Sequence, residues 1–115
     1  MKSMFTTVAN INRERVQTGQ LYGEFLRVPV MSSGLYVLAP GSVDPQVPHH
    51  QDELYYVLRG RGRFRAGGED AEIEAGSLLF VAAEVEHKFS NITEELAVLV
   101  FSLRPRTRSH HEPGF

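Results

Sequence analysis

The stretch that decides the fold lies near the middle of the chain, where residues 48–60 read PHHQDELYYVLRG. Side chains of a β-strand alternate between its two faces. One face of this stretch therefore carries His49, Gln51, Glu53 and Tyr55, while the opposite face is apolar toward the end of the run. This pattern predicts a buried strand that lines a pocket on one side.

Short apolar runs continue in both directions from this stretch, without the spacing of a long helix. The predicted strands are rich in Val, Leu, Tyr and Phe and cover residues 21–28, 34–39, 53–58, 63–66, 78–81, 87–91 and 96–103. Turns containing Gly or Pro separate them. Closely spaced strands of this kind predict an all-β sandwich or barrel. Residues 8–17 are expected to form at most a helical turn, because their apolar content is low.

Length and composition narrow the class of protein. The 115 residues suffice for one domain, which we divide into an N-terminal arm (1–20), a barrel (21–103) and a polar C-terminal tail (104–115). The formal charge of −2 lacks the basic excess of a nucleic-acid-binding surface. The absence of cysteine excludes disulfides and thiolate chemistry. Because we recognise neither a signal peptide nor a membrane span, we expect a cytoplasmic protein without nucleic-acid or membrane partners.

A second segment with metal-binding residue types reads EHKFSN at residues 86–91. In a barrel, His87 can converge with His49 and Glu53. A buried carboxylate is costly without a cation, and imidazole with carboxylate is a ligand set that divalent transition metals accept. The alternative is a metal-free pocket in which Glu53 pairs with His49 or with an arginine.

The first segment resembles motif 1 of the small single-domain cupins, which are RmlC-like proteins. That motif runs Gly, then His-x-His-x3-Glu, then Gly after six further residues. Gly41, His49, Glu53 and Gly60 fill these places. Val47 stands where the family has its first histidine, so the resemblance implies a ligand set without that histidine.

The second segment resembles motif 2 of the same family, Gly-x5-Pro-x-Gly-x2-His-x3-Asn. Gly76, His87 and Asn91 match in register, whereas Ala82 and Glu84 replace the Pro and the Gly. The resemblance extends over roughly residues 34–103. It implies a double-stranded β-helix, the jelly-roll barrel of two antiparallel sheets.

The ligand set that the resemblance implies is His49, Glu53 and His87. Two histidines and one carboxylate leave coordination positions open and suit iron(II), with manganese, nickel, copper or zinc also compatible. Gln51, or with less support Gln46, is a candidate fourth ligand. The other candidate pocket residues are Tyr55, Phe89 and Asn91. His50 would point away from the pocket.

Two functions remain open from the sequence. One is a small metal-dependent enzyme of the dioxygenase or isomerase type that acts on a small molecule. The other is a noncatalytic module that binds or senses a small molecule, with or without a metal. The apolar outer face of residues 54–58 predicts packing against a second copy, and therefore a homodimer. The arginines at alternate positions from 59 to 65 are expected to form a solvated face with the acidic residues that follow.

Overall fold

The computed structural model describes residues 1–46 and 49–104. Val47, and the predicted tail beyond Arg104, lie outside the described residues. Within these described residues, one helix and six strands follow in chain order: α1 (Val8–Thr18), β1 (Tyr22–Val28), β2 (Met31–Leu38), β3 (Asp52–Ala66), β4 (Glu69–Glu74), β5 (Leu78–Val81) and β6 (His87–Leu103).

All strand pairings are antiparallel, and they connect the strands in the order β1-β2-β6-β3-β4, with β5 paired to β3. The long strand β3 pairs with β6 over most of its length, with β5 near its start and with β4 near its end. The predicted strands 53–58 and 63–66 are both parts of β3, and the predicted strands 87–91 and 96–103 are both parts of β6. The predicted all-β architecture is confirmed.

The barrel interior holds the main apolar core. Its buried members come from β2 to β6 and are Tyr36, Leu38, Tyr55, Val57, Phe64, Ile73, Val81, Phe89, Ile92, Leu96, Val98 and Val100. A smaller cluster of Ile11, Leu35, Val37 and Ala97 lies between α1 and the outer face of the sheet. The helix therefore covers one end of that outer face.

Helix α1 is longer than the helical turn that the sequence predicted. The Thr7 side chain accepts a hydrogen bond from the Asn10 amide, and Gly19 ends the helix in the left-handed conformation with φ of 73°. Ile11 is the one buried residue of this helix, so its apolar spacing is weak and the caps define its ends. Among the described residues, no helix has the length and apolarity needed to cross a membrane.

Strand β4 was not predicted, because Ile73 is its one buried side chain. It forms opposite the second half of β3, where the register places Arg61 across from Glu74 and Arg63 across from Glu72. Arg61 lies 3.2 Å from Glu74, and Arg63 lies 3.4 Å from Asp70. The predicted solvated face of balanced charges is therefore confirmed, and cross-strand charge pairing supports β4.

Candidate metal centre

Two histidines and a glutamate converge at one end of the barrel. Glu53 lies at the start of β3, His87 at the start of β6, and His49 in the segment that leads into β3. One potential donor atom of each residue lies within 4.8 Å of those of the other two. Glu53 is 5% exposed and His87 is 3% exposed. The three residues thus form a group that could hold a metal ion.

The His87 ring is held in one orientation. Its Nδ1 lies 2.8 Å from the Val85 carbonyl oxygen and donates to it, which leaves Nε2 3.3 Å from a carboxylate oxygen of Glu53. Burial alone would lower the pKa of His87, but the hydrogen bond with Glu53 and the Val85 carbonyl outweigh burial and raise this pKa. Metal-bound histidines usually donate their other ring nitrogen in this way.

Both carboxylate oxygens of Glu53 accept hydrogen bonds. The Tyr55 hydroxyl donates to one at 2.8 Å, and the Ser102 hydroxyl donates to the other at 2.9 Å. Burial tends to raise the pKa of Glu53, yet the hydrogen bonds from His87 and Tyr55 and the charge of His49 outweigh it and lower that pKa. Glu53 is therefore an ionised ligand-type carboxylate, and the donor set fits a divalent transition metal.

The Tyr55 hydroxyl lies between the group and the loop before β3. It is 2.9 Å from His87 Nε2 and 3.1 Å from the side-chain oxygen of Gln46. Burial, followed by the nearby charge of Glu53, raises the pKa of Tyr55. The hydroxyl thus stays protonated and has Gln46 as an alternative acceptor if the donor atoms of Glu53 and His87 are engaged by a metal.

The turn before β6, residues 82–85, contacts both histidine segments. The Glu84 amide donates to the His49 carbonyl at 2.7 Å, and the Glu84 carboxylate contacts His50 Nδ1. Glu84 adopts φ of 70°, a conformation that favours glycine. This residue stands where motif 2 of the cupins has Gly, so this chain has a carboxylate at a position where the motif has no side chain.

His50 points away from the group, as the alternation predicted. Its side chain is 86% exposed, whereas Glu53, Tyr55 and Val57 are buried. The alternation thus holds from residue 50 into β3.

A cavity of about 330 Å³ opens beside the group. Its lining comes from β1, β2, β3, β6 and the loop before β3, and consists of Tyr22, Glu24, Arg27, Ser32, Tyr36, Gln46, His49, Gln51, Glu53, Val100 and Ser102. Both glutamines considered as fourth ligands thus line it, and Gln46 contacts Tyr55.

The Tyr22 ring forms a wall of the cavity because β2 has a glycine beside it. A Cβ atom on Gly34 would lie 2.2 Å from the Tyr22 ring. The ring also packs edge-on against Tyr36 with centroids 6.3 Å apart. Burial, then the charges of Glu24 and Glu53, raises the pKa of Tyr22 to about 12. Gly34 therefore provides the space for a neutral tyrosine at the cavity.

Asp44 is a buried carboxylate that the sequence analysis missed. It accepts hydrogen bonds from the Tyr36 hydroxyl at 2.6 Å, the Phe89 amide at 2.9 Å and the side chain of Gln46 at 2.8 Å. The Asp44-Pro45 pair is a turn signal that favours exposure, so residue patterning contains no indication of this burial. Asp44 anchors the loop that carries Gln46 to the barrel.

Phe89 and Asn91 lie outside the cavity lining. Phe89 is buried in the barrel core, 4.8 Å from Phe64 by ring centroids. Asn91 is exposed, has φ of 46° and lines a separate cavity of about 560 Å³ with Arg61 and Thr93. A register shift in the β3–β6 pairing interrupts the alternation there, so Asn91 does not share the inward face of His87 and Phe89.

Comparisons with known proteins agree with this architecture. Residues 34–103 match the Cupin_2 family model, described as a cupin domain. The uncharacterized protein SCO3923 of Streptomyces coelicolor is 42% identical over 97 residues, which cover 84% of this chain and 92% of that protein. Polyketide synthase CurC of Streptomyces cyaneus is 28% identical over 110 residues, covering 91% and 71% of the two chains.

A solved structure shows the same fold at low sequence identity. The cupin protein from Bacteroides fragilis superposes with a TM-score of 0.69 at 18% identity, covering 97% of this chain and 92% of that one. The range matched by the family model begins in β2 and ends with β6, so it contains Glu53, His87 and His49. The chain belongs to the Cupin_2 family of cupin domains.

Proposed function

We propose that this chain is a metal-dependent cupin enzyme that acts on a small molecule, with His49, Glu53 and His87 as the metal ligands. The observation that carries the proposal is the convergence of three potential donor atoms within 4.8 Å. Iron, manganese, nickel, copper and zinc all suit this set. The bound ion would supply Lewis-acid or redox chemistry.

The other residues of the site favour the dioxygenase type over the isomerase type. Proton abstraction needs an available base within reach of the ligand. Among the described lining residues, the carboxylates are Glu53, assigned to the metal, and Glu24, paired with Arg27. The hydroxyls of Tyr22 and Tyr36 have raised pKa values because of burial and nearby carboxylates. The Tyr36 hydroxyl donates to Asp44, so Tyr22 is the tyrosine that can donate a hydrogen bond to an oxygen-containing ligand.

We propose an oxygen-rich phenolic or β-dicarbonyl compound as the ligand class. Two neighbouring oxygens of such a compound could chelate a divalent metal, and the neutral Tyr22 hydroxyl bordering the cavity could donate to a further oxygen. The name of the relative from Streptomyces cyaneus, polyketide synthase, supports this chemistry for a ligand of the present chain. The cavity of about 330 Å³ favours a compact ligand.

The second candidate function is a noncatalytic binding or sensing module. The lack of an unengaged carboxylate among the described lining residues favours it, because simple binding requires no proton transfer. Both functions use the same cavity. They differ in whether the bound molecule is converted to a product, so a measurement of turnover distinguishes them.

Oxygen uptake tests the enzymatic proposal. Tag-free protein is loaded with iron(II) without oxygen and mixed with catechol or acetylacetone in aerated buffer. We expect oxygen uptake at least about tenfold above that of Glu53→Gln. That variant lacks a proposed metal ligand, so its uptake measures the contribution of free iron. Binding of these compounds in calorimetry without oxygen uptake would favour the noncatalytic module. The absence of both binding and uptake would contradict both functions for this ligand class.

We also propose a homodimer through the outer face of β3, β5 and β6. The register places apolar side chains in two cross-strand rows, Leu78-Tyr56-Leu99 and Phe80-Leu54-Phe101. Leu78 is 67% exposed and Phe80 is 64% exposed. Helix α1 covers the part of the sheet around Leu35 and its cluster reaches Leu99. The side chains left exposed in the two rows are Leu54, Tyr56, Leu78 and Phe80. Contiguous apolar surface of this kind typically packs against a partner, and a second copy presents the same face.

Charge on this face should separate the subunits. We expect Phe80→Glu to run as a monomer in light scattering coupled to gel filtration, because dimerisation would bury the new carboxylate in an apolar interface. Val43→Glu alters a residue that is also exposed, on the loop after β2, and should remain dimeric. A monomeric wild-type protein would contradict the proposed dimer.

A further inference from the structure

An arginine lies in the same cross-strand row as the proposed metal ligand Glu53. The register pairs Arg27 of β1 with Ser32 of β2, Ser32 with Ser102 of β6, and Ser102 with Glu53 of β3. All four residues line the cavity of about 330 Å³. At about 4.8 Å per strand, the path across the curved sheet from Arg27 to Glu53 is roughly 14 Å long. Two small serines between them leave room for a ligand.

Arg27 already holds a carboxylate through two nitrogens on one edge of its guanidinium group. Its Nε lies 3.0 Å from one oxygen of Glu24, and a terminal nitrogen lies 2.7 Å from the other. This bidentate fork is the geometry in which arginine recognises carboxylates. The two side chains are 56% and 34% exposed, and an ion pair exposed to this degree contributes little stability. Replacing Glu24 by the carboxylate of a ligand therefore costs little free energy.

We propose that Arg27 is the carboxylate anchor of the cavity: it binds a carboxylate at one end of the ligand, in exchange for Glu24, while the other end of the ligand lies at His49, Glu53 and His87. This inference deepens the proposed function and rests on it for the position of the second end. It narrows the ligand class to a small acid that carries neighbouring oxygens at its opposite end. Ser32 and Ser102 form the polar floor beneath such a ligand.

Two probes that differ in one group test the anchor. Titration calorimetry on zinc-loaded protein compares 3,4-dihydroxybenzoate with catechol, which lacks the carboxylate. Arg27→Gln should weaken binding of the acid by about tenfold or more and leave catechol binding within about twofold. Glu24→Gln should tighten binding of the acid several-fold, because it removes the competing carboxylate. Arg59→Gln is the matched control, since Arg59 forms a similarly exposed pair with Glu95 outside the cavity lining.

A measurement on metal-free protein separates the anchor from the metal site. The Nε–H resonance of Arg27 in ¹⁵N spectra should shift when 3,4-dihydroxybenzoate is added and stay in place with catechol. If the protein takes up no zinc while this resonance shifts, the metal proposal fails and the anchor stands. Equal losses for both probes in Arg27→Gln, or unchanged affinity for the acid in that variant, would overturn the anchor.

Discussion

Glu53→Gln is expected to abolish stoichiometric metal binding while preserving the fold. The amide keeps the size of the carboxylate. Its oxygen can accept a hydrogen bond from one of the hydroxyls of Tyr55 and Ser102, and its NH2 can donate to the oxygen of the other, but the negative charge that faces His87 is lost. Loss of an outer-shell partner costs about 10- to 100-fold in metal affinity, so loss of a direct ligand should exceed about 100-fold. Plasma mass spectrometry on tag-free protein, purified without chelator, measures the metal content.

The neighbouring histidine provides the control for this experiment. His50→Ala should retain about one equivalent of metal, because the His50 side chain is exposed and contacts Glu84. His87→Ala should lose the metal as Glu53→Gln does, since it removes the Nε2 donor. Loss of metal in His50→Ala alone would contradict the ligand assignment, and full metal content in all three variants would place the metal elsewhere.

Gly60→Ala is expected to destabilise the barrel severely, because the long strands β3 and β6 approach each other closely at this glycine. Gly60 has φ of 100°, and a Cβ atom would lie 2.2 Å from the carbonyl oxygen of Glu95 and 2.7 Å from Cα of Leu96. Both contacts are to backbone of β6, which cannot rotate away. The unfavourable φ alone costs about 1–3 kcal/mol, and the clash adds a similar amount.

The measurable consequence is a fall in the free energy of unfolding of about 3 kcal/mol or more, or roughly 12 °C in Tm. Gly68→Ala is the matched control, because a Cβ atom there would meet nothing within 4 Å. Its effect should stay within about 1 kcal/mol in chemical denaturation. Equal stability of the two variants would mean that β3 and β6 separate at Gly60 without cost.

The sequence predicted the strands and the face of β3 because alternation survives wherever pairing is regular. Glu53, Tyr55 and Val57 are buried while Leu54 and Tyr56 are exposed, as their positions required. Asn91 departs from the prediction because the β3–β6 register shifts beside it. Sequence alternation contains no information about such a shift, so side chains beyond it are assigned to the wrong face.

Other features were not predicted because the pattern of apolar residues does not indicate what stabilises them. Helix α1 buries Ile11 alone, and β4 buries Ile73 alone while its acidic residues face the arginines of β3. Asp44 is buried through hydrogen bonds with the Tyr36 hydroxyl, on the preceding strand, and with the backbone amide of Phe89, on β6. Such partners are identifiable only after the barrel has closed.

The turn at residues 82–85 makes hydrogen bonds to both histidines of the site. One of its amides, that of Glu84, holds the His49 carbonyl, and one of its carbonyls, that of Val85, holds the His87 ring. The two histidines come from segments nearly forty residues apart, yet both are positioned by hydrogen bonds to the same short piece of backbone. An insertion in this turn should therefore displace both histidines together, even if the strands on either side of it keep their pairing.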